Sequence, residues 1–169
     1  MEPIIKKPSG SAEPPPNKFA PQGKEKVITG SSIVNPYSGS LGLVLLASSI
    51  DGKPESKVYN LLSKKWPKVT AELKGWHQSQ INWKLGAIQS TACQSDVWCM
   101  HMLCLDKDRN LDENALENCL LKVKTEAISN KASIHVSSLL VEDIPILPKM
   151  LQPFLERGIN LFLYEEHIK

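Results

Sequence analysis

A chain of 169 residues, 41% apolar and 22% charged, can bury one core, and its longest apolar stretches, Leu41–Ala47 and Val97–Leu105, are strand-sized rather than membrane-spanning. Residues 1–24 carry four lysines against two glutamates, which is the whole net charge of +2; residues 25–169 therefore balance near zero and lack the clustered basic surface that nucleic-acid binding needs. Met1–Lys7 has no apolar segment of the kind a secretory signal needs, so the expectation is a location inside the cell, nuclear or cytoplasmic, with no membrane attachment; a monomer is expected as well.

Residues 1–24 also hold six of the twelve prolines, together with Ser, Gly and Lys. A segment with so little apolar surface cannot offset its ordering entropy, so it reads as a disordered tail or linker, with 25–169 as the domain. It is a tether or inert leader in one reading and a docking peptide in the other. Leu41–Ala47 then forms a continuous apolar run, as expected of a central strand covered on both faces.

Pro54 suits the first turn of a helix carrying Val58, Leu61, Leu62 and Lys65 at helical spacing, which Trp66-Pro67 stops. A second short helix is expected over Val69–Trp76, with Trp66 and Trp76 as core anchors. Ala87–Gln89 and Val97–Leu105 read as strands joined by a polar connection, Ser90–Asp96. Asp112 is a plausible N-cap for a helix with Ala115, Leu116, Cys119, Val123 and Ala127 on one face.

A short strand follows at Ser133–Val136. One helix is then expected over Ile144–Arg157, ended by Gly158 as a C′ glycine, before a final strand at Ile159–Tyr164. Helices interleaved with strands predict an α/β fold: a three-layer α/β/α arrangement around a mainly parallel mixed sheet.

Few side chains stand out as chemistry. Cys93, Cys99, Cys104 and Cys119 lack the spacing of a tetrahedral metal site and read as small, reduced hydrophobes. No metal and no cofactor is expected. His101 and His135 fall in strand patterns and read as satisfied core or pocket-edge histidines.

Several of these segments together resemble a known family. Leu85-Gly-Ala-Ile-Gln89 followed by Val97-Trp-Cys-Met-His-Met102 looks like the middle strands of macrodomains, closest to the branch of ADP-ribosyl-glutamate hydrolases and a chromatin-remodeller macrodomain. Ala115–Leu120, Ser133-Ile-His-Val136, Ile159–Glu165, Leu62–Pro67 and Thr29–Pro36 are similar to further parts of that fold, so the resemblance spans residues 26–166. It implies ADP-ribose, or an ADP-ribosylated protein, as ligand. Relatives of this kind often act in DNA damage signalling or host–virus conflict, which is analogy from fold alone.

The departures fall at the binding positions. Where the family has an aspartate for the adenine amino group, Gly30 is followed by Ser31. The first phosphate loop reads Ser48-Ser-Ile-Asp-Gly-Lys-Pro54, with one glycine left and an N–H donor removed by Pro54. The second reads Ser137-Ser-Leu-Leu-Val-Glu-Asp-Ile144 with no glycine, inside a stretch that has none between Gly86 and Gly158. Glu142 and Asp143 would repel a diphosphate.

For catalysis the resemblance implies a lysine and an aspartate. Asp143 is the candidate for the aspartate, and Lys84 and Lys107 stand in no matching motif. The expectation is a non-catalytic module, a pseudoenzyme, serving as a scaffold for an unnamed protein partner, with Leu139, Leu140 and Ile144 closing the pocket. The alternative is an ADP-ribose reader using Ser31, Ser49, Gly52, Ser137, Ser138, Leu139 and Leu140, with Tyr164 stacking on adenine; a hydrolase is the second alternative.

Overall fold

The structure is a computed structural model and describes residues 22–37 and 39–167. Most of the proline-rich segment therefore lies outside the described residues. Its last part is tied to the domain: the Gly23 N–H donates to the Leu155 carbonyl and the Lys24 N–H to the Asn160 side chain.

The elements in chain order are β1 (Glu25–Ile28), β2 (Gly42–Ser49), α1 (Lys57–Lys65), α2 (Lys68–Ser79), β3 (Ile88–Gln94), β4 (Val97–Leu105), α3 (Glu113–Asn130), β5 (Ser133–Ser137), α4 (Ser138–Asp143), α5 (Leu147–Met150), α6 (Gln152–Glu156) and β6 (Leu161–Tyr164). They build one six-stranded sheet in the order β1-β6-β5-β2-β4-β3. Every neighbouring pair is parallel except β3 with β4. The expected mainly parallel mixed sheet with helices on both faces is what forms.

β2 is central, and all eight of its residues are buried. The two-residue period of a strand divides them between two cores. Leu43, Leu45 and Ala47 face a layer with Leu116, Cys119 and Val123 of α3, and Leu147, Leu151 and Phe154 of the C-terminal helices. Val44 and Leu46 face Val58 and Leu62 of α1 and Val69, Leu73 and Trp76 of α2. Trp66 and Trp76 are buried there as expected.

Local chemistry explains the helix boundaries. Ser56, not Pro54, starts α1, because its hydroxyl accepts the Tyr59 N–H at 3.1 Å and so serves as the N-cap. Asp112 caps α3 by accepting the Ala115 N–H at 2.9 Å, as the sequence predicts. Asp112→Ala should lower the unfolding free energy by about 1 kcal/mol, read as a shift in the urea midpoint at constant slope.

Four expectations need correction. Ser90–Asp96 is not a connection: β3 runs on to Gln94, and only Ser95 and Asp96 turn the hairpin. Thr91 is fully buried on this strand, where its hydroxyl bonds His101. The single helix over Ile144–Arg157 is two short helices, since Pro148 and Pro153 each sit in a first turn and remove a helical donor. Helix α2 is longer than Val69–Trp76. The segment after β5, read as a loop, is helix α4. Gly158 does sit at φ +77 just past α6, as a C′ glycine should. Among the described residues no helix is long and apolar enough to cross a membrane.

Candidate functional site

Because β1, β6, β5, β2 and β4 are parallel, their carboxyl ends share one edge of the sheet, the place where open α/β sheets hold ligands. Five segments leave that edge: 29–37, 50–56, 106–112, α4, and 165–167 after β6. These segments carry nearly all the residues the sequence singles out.

The segment after β1 is held by the C-terminal end of the chain. The Glu166 carboxylate accepts the Ser32 hydroxyl at 2.8 Å and the Ile33 N–H at 2.7 Å, while the Glu166 N–H donates to Ser138 Oγ at 2.9 Å. Ser31 is exposed, and its hydroxyl reaches only the Asn35 carbonyl, at 3.5 Å. Glu166 carries no motif; nothing local in the sequence reveals a partner 134 positions away from Ser32.

The segment after β2 is tied from within and from across the edge. Ser49 is fully buried, donating its hydroxyl to the Asp106 carbonyl at 2.9 Å. Gly52 sits at φ +78 with the His77 ring packed where a Cβ would lie. Asp51 pairs with Arg109, whose guanidinium lies 3.2 Å from both carboxylate oxygens and also donates to the carbonyls of Lys53 and Glu55.

Burial pushes the Asp51 carboxyl up, but the Lys53 N–H, the Ser49 hydroxyl and Arg109 outweigh it and hold the group below its ordinary value. Arg109 takes φ +65 in the loop after β4. The sequence offered one hint at this position: an arginine inside the turn-prone run Asp106-Lys-Asp-Arg-Asn110.

The segment after β5 is not a glycine-rich turn. Ser137, fully buried, accepts the Leu139 N–H at 3.1 Å and caps α4. Leu139 goes into the core beside α1 and α2, and Leu140 into the opposite core. The Leu139 amide that would face a diphosphate is thus taken by the Ser137 hydroxyl.

Tyr164 ends β6 fully buried. Its hydroxyl bonds His135 Nδ1 at 2.7 Å and accepts the Tyr37 N–H at 2.7 Å, and the other nitrogen of His135 bonds Ser133 Oγ at 2.7 Å. A ring enclosed in this way offers no face to an adenine, so the stacking expected of Tyr164 does not fit its position. Tyr37 instead stacks on Phe162, ring centres 5.3 Å apart.

A matching chain crosses the sheet beside β4. His101 bonds the Tyr59 hydroxyl at 2.7 Å and the Thr91 hydroxyl at 2.8 Å, and Tyr59 also bonds Ser48. Burial lowers both His101 and His135 to about 4. Both histidines are thus satisfied core groups, in keeping with the sequence reading.

What remains open is a cleft of about 380 Å³ between residues 55–58, the β4–α3 loop and α4. Its apolar floor includes Ala47, Leu105 and Leu140; Lys57 and Arg109 line it on the cationic side, Glu55 and Asp143 on the acidic side. Burial and the neighbouring Glu142 carboxylate raise the Asp143 carboxyl, against the pull of Lys57 and Arg109. Lys84 and Lys107 are exposed and do not line this cleft. Lys57, which does, is the cation the sequence reading passed over.

No protein-family model matches the chain, and no curated protein sequence matches it. Solved structures do. A macrodomain protein from Streptomyces coelicolor aligns over 85% of this chain and 100% of its own, at 18% identity and a TM-score of 0.76. The macrodomain of Thermus aquaticus DarG aligns over 85% and 99%, at 13% identity and 0.63. Thermosipho africanus DarTG, solved in complex with ADP-ribose, aligns over 75% of this chain and 39% of its own, at 13% identity and 0.58. Taken with the strand order and the three layers, these likenesses establish that the chain has the macrodomain fold.

Proposed function

We propose that this chain is a non-catalytic macrodomain-fold module that acts as a protein-interaction or scaffold unit, its ancestral ligand edge filled by its own groups. One observation carries the reading. The donors that a ligand would need at the carboxyl edge already have internal partners: Ser32 and the Ile33 N–H bond Glu166, the Asp51 and Gly52 N–H groups bond Ser49, the Lys53 N–H bonds Asp51, and the Leu139 N–H bonds Ser137. To bind there a ligand would have to displace the Glu166 carboxylate and the Ser137 hydroxyl from the amides they hold.

A second reading keeps ADP-ribose, or an ADP-ribosylated protein, as ligand. It is favoured by the open cleft beside Lys57 and Arg109 and by the ADP-ribose held in the Thermosipho relative of the fold. A hydrolase would need Asp143 and a lysine placed by that cleft; among the described residues Lys57 lines it.

Isothermal calorimetry separates the readings. The scaffold predicts no binding heat with ADP-ribose in the millimolar range. Micromolar binding that disappears in Lys57→Ala and Arg109→Ala would instead establish the reader. Turnover of an ADP-ribosylated protein, lost in Asp143→Ala, would establish the hydrolase.

A further inference from the structure

The four thiols are not equivalent. Cys99, Cys104 and Cys119 are buried, whereas Cys93 on the edge strand β3 is only half-buried. The pairing of β3 with β4 slips between Ala92 and Gln94, and the extra residue at this bulge is Cys93. The slip sets its sulfur 3.3 Å from that of Cys99 on β4.

We propose that Cys93 and Cys99 form a peroxide-responsive thiol pair, in which Cys93 takes the oxidant and Cys99 closes a reversible cross-strand disulfide.

Three features of the site support this. Only Cys93 of the two reaches solvent, so it alone meets a small oxidant such as hydrogen peroxide. Its sulfur is the better nucleophile: the hydrogen bond between the two sulfurs lowers the Cys93 thiol, partial burial opposes this, and on α2 the Lys68 charge adds to the lowering while Glu72 acts against it. Cys99 is pushed the other way, by Cys93 and by burial, and so stays a protonated thiol awaiting a partner. Closing a bond near 2.05 Å from the observed separation needs a shift of about 1 Å. A bulge on an edge strand can take up such a shift, because its ladder hydrogen bonds are already broken.

The chemistry balances in two steps. The Cys93 thiolate attacks one peroxide oxygen, the O–O bond breaks, and hydroxide leaves, giving a sulfenic acid. The Cys99 sulfur then attacks the Cys93 sulfur, the S–O bond breaks, and the departing hydroxide takes the Cys99 proton as water. Overall the two thiols lose two electrons and two protons, and one peroxide becomes two waters. A dithiol reductant reverses the cross-link by exchange.

Intact-mass analysis of the full chain after brief peroxide treatment and alkylation tests the pair. The expected result is loss of two hydrogens, reversed by dithiothreitol. Trypsin leaves Cys93, Cys99 and Cys104 in the one peptide 85–107, so a second cut before Asp96 is needed to show the link. In Cys99→Ser, Cys93 should stop at the sulfenic acid and be trapped by dimedone; in Cys93→Ser no cross-link should form. On the untreated native chain, Cys93 should alkylate roughly tenfold faster than the other three thiols, a readout that requires no variant to fold. Equal alkylation rates, no mass loss while the chain stays folded, or a cross-link through Cys104 or Cys119 would each overturn the proposal.

Discussion

Stability should fall steeply as the pH drops from about 6.5 to about 4, the interval between the ordinary value of histidine and that of His101 and His135 in the fold. Both rings are buried among hydroxyls and aromatic faces, with Tyr59 and Thr91 around one and Ser133, Tyr164 and Phe162 around the other. Among the described residues no carboxylate is bonded to either ring. The neutral imidazole suits these partners, because each nitrogen meets a hydroxyl that can donate or accept.

The sign follows from which state binds protons more readily. A folded-state value below the unfolded one means that the unfolded chain takes up protons first. The stabilisation is therefore complete above the unfolded value and is lost as pH falls through the folded one. Each ring accounts for about 3 kcal/mol across the window, and the two together for about 6 kcal/mol, comparable with the whole stability of an ordinary domain. Urea unfolding at a series of pH values reads this directly, with the slope of stability against pH rising to that of about two protons. A stability that stays flat from neutral pH to about 4 would mean that neither histidine is buried as described.

Gly52→Ala should be among the most damaging single substitutions that leave the cores untouched. A left-handed conformation at a non-glycine residue costs about 1–2 kcal/mol. At Gly52 the added Cβ would also run into the His77 ring, and overpacking of that kind costs about 1–3 kcal/mol. The combined loss is about 2–5 kcal/mol.

Gly30 provides the control. It sits at φ +84 with nothing within 4 Å of where a Cβ would lie, so Gly30→Ala should show the backbone cost alone. The steric part should be recovered in the double variant Gly52→Ala/His77→Ala, as a coupling in a double-mutant cycle. Equal losses for the two single alanine variants would remove His77 from the account. The comparison matters for function, because it assigns the surviving glycine of the first loop to packing against α2 rather than to a phosphate.

Much of the fold was legible because its signals are local. The apolar run of β2, the Asp112 cap, the Trp66-Pro67 stop and the Gly158 terminus each follow from residues within a few positions of one another. Pro148 and Pro153 carry enough local information to divide the helix expected over Ile144–Arg157, since each falls in the first turn of its own short helix. Helix α4 was missed for a different reason. Its capping signal at Ser137 is ordinary, and the expectation of a phosphate loop at that position masked it.

The site was less legible because its decisive contacts are long-range. Arg109 meets Asp51 across 58 positions and Glu166 meets Ser32 across 134. No periodicity or motif encodes such pairs. The sequence could show that the phosphate-binding glycines are gone, but not what holds the edge in their place. Tyr164 illustrates the limit: an aromatic at the end of the last strand looks like a stacking platform until His135 and the Tyr37 N–H are seen to hold its hydroxyl.

The claim that the edge is filled by the chain's own groups is tested most directly by backbone amide NMR during an ADP-ribose titration. The account predicts that the Ile33, Gly52 and Leu139 amide signals stay fixed up to millimolar ligand, each being held by an internal partner. Saturable shifts of these three amides at micromolar ADP-ribose would contradict it and place the ligand where Glu166, Arg109 and α4 are described.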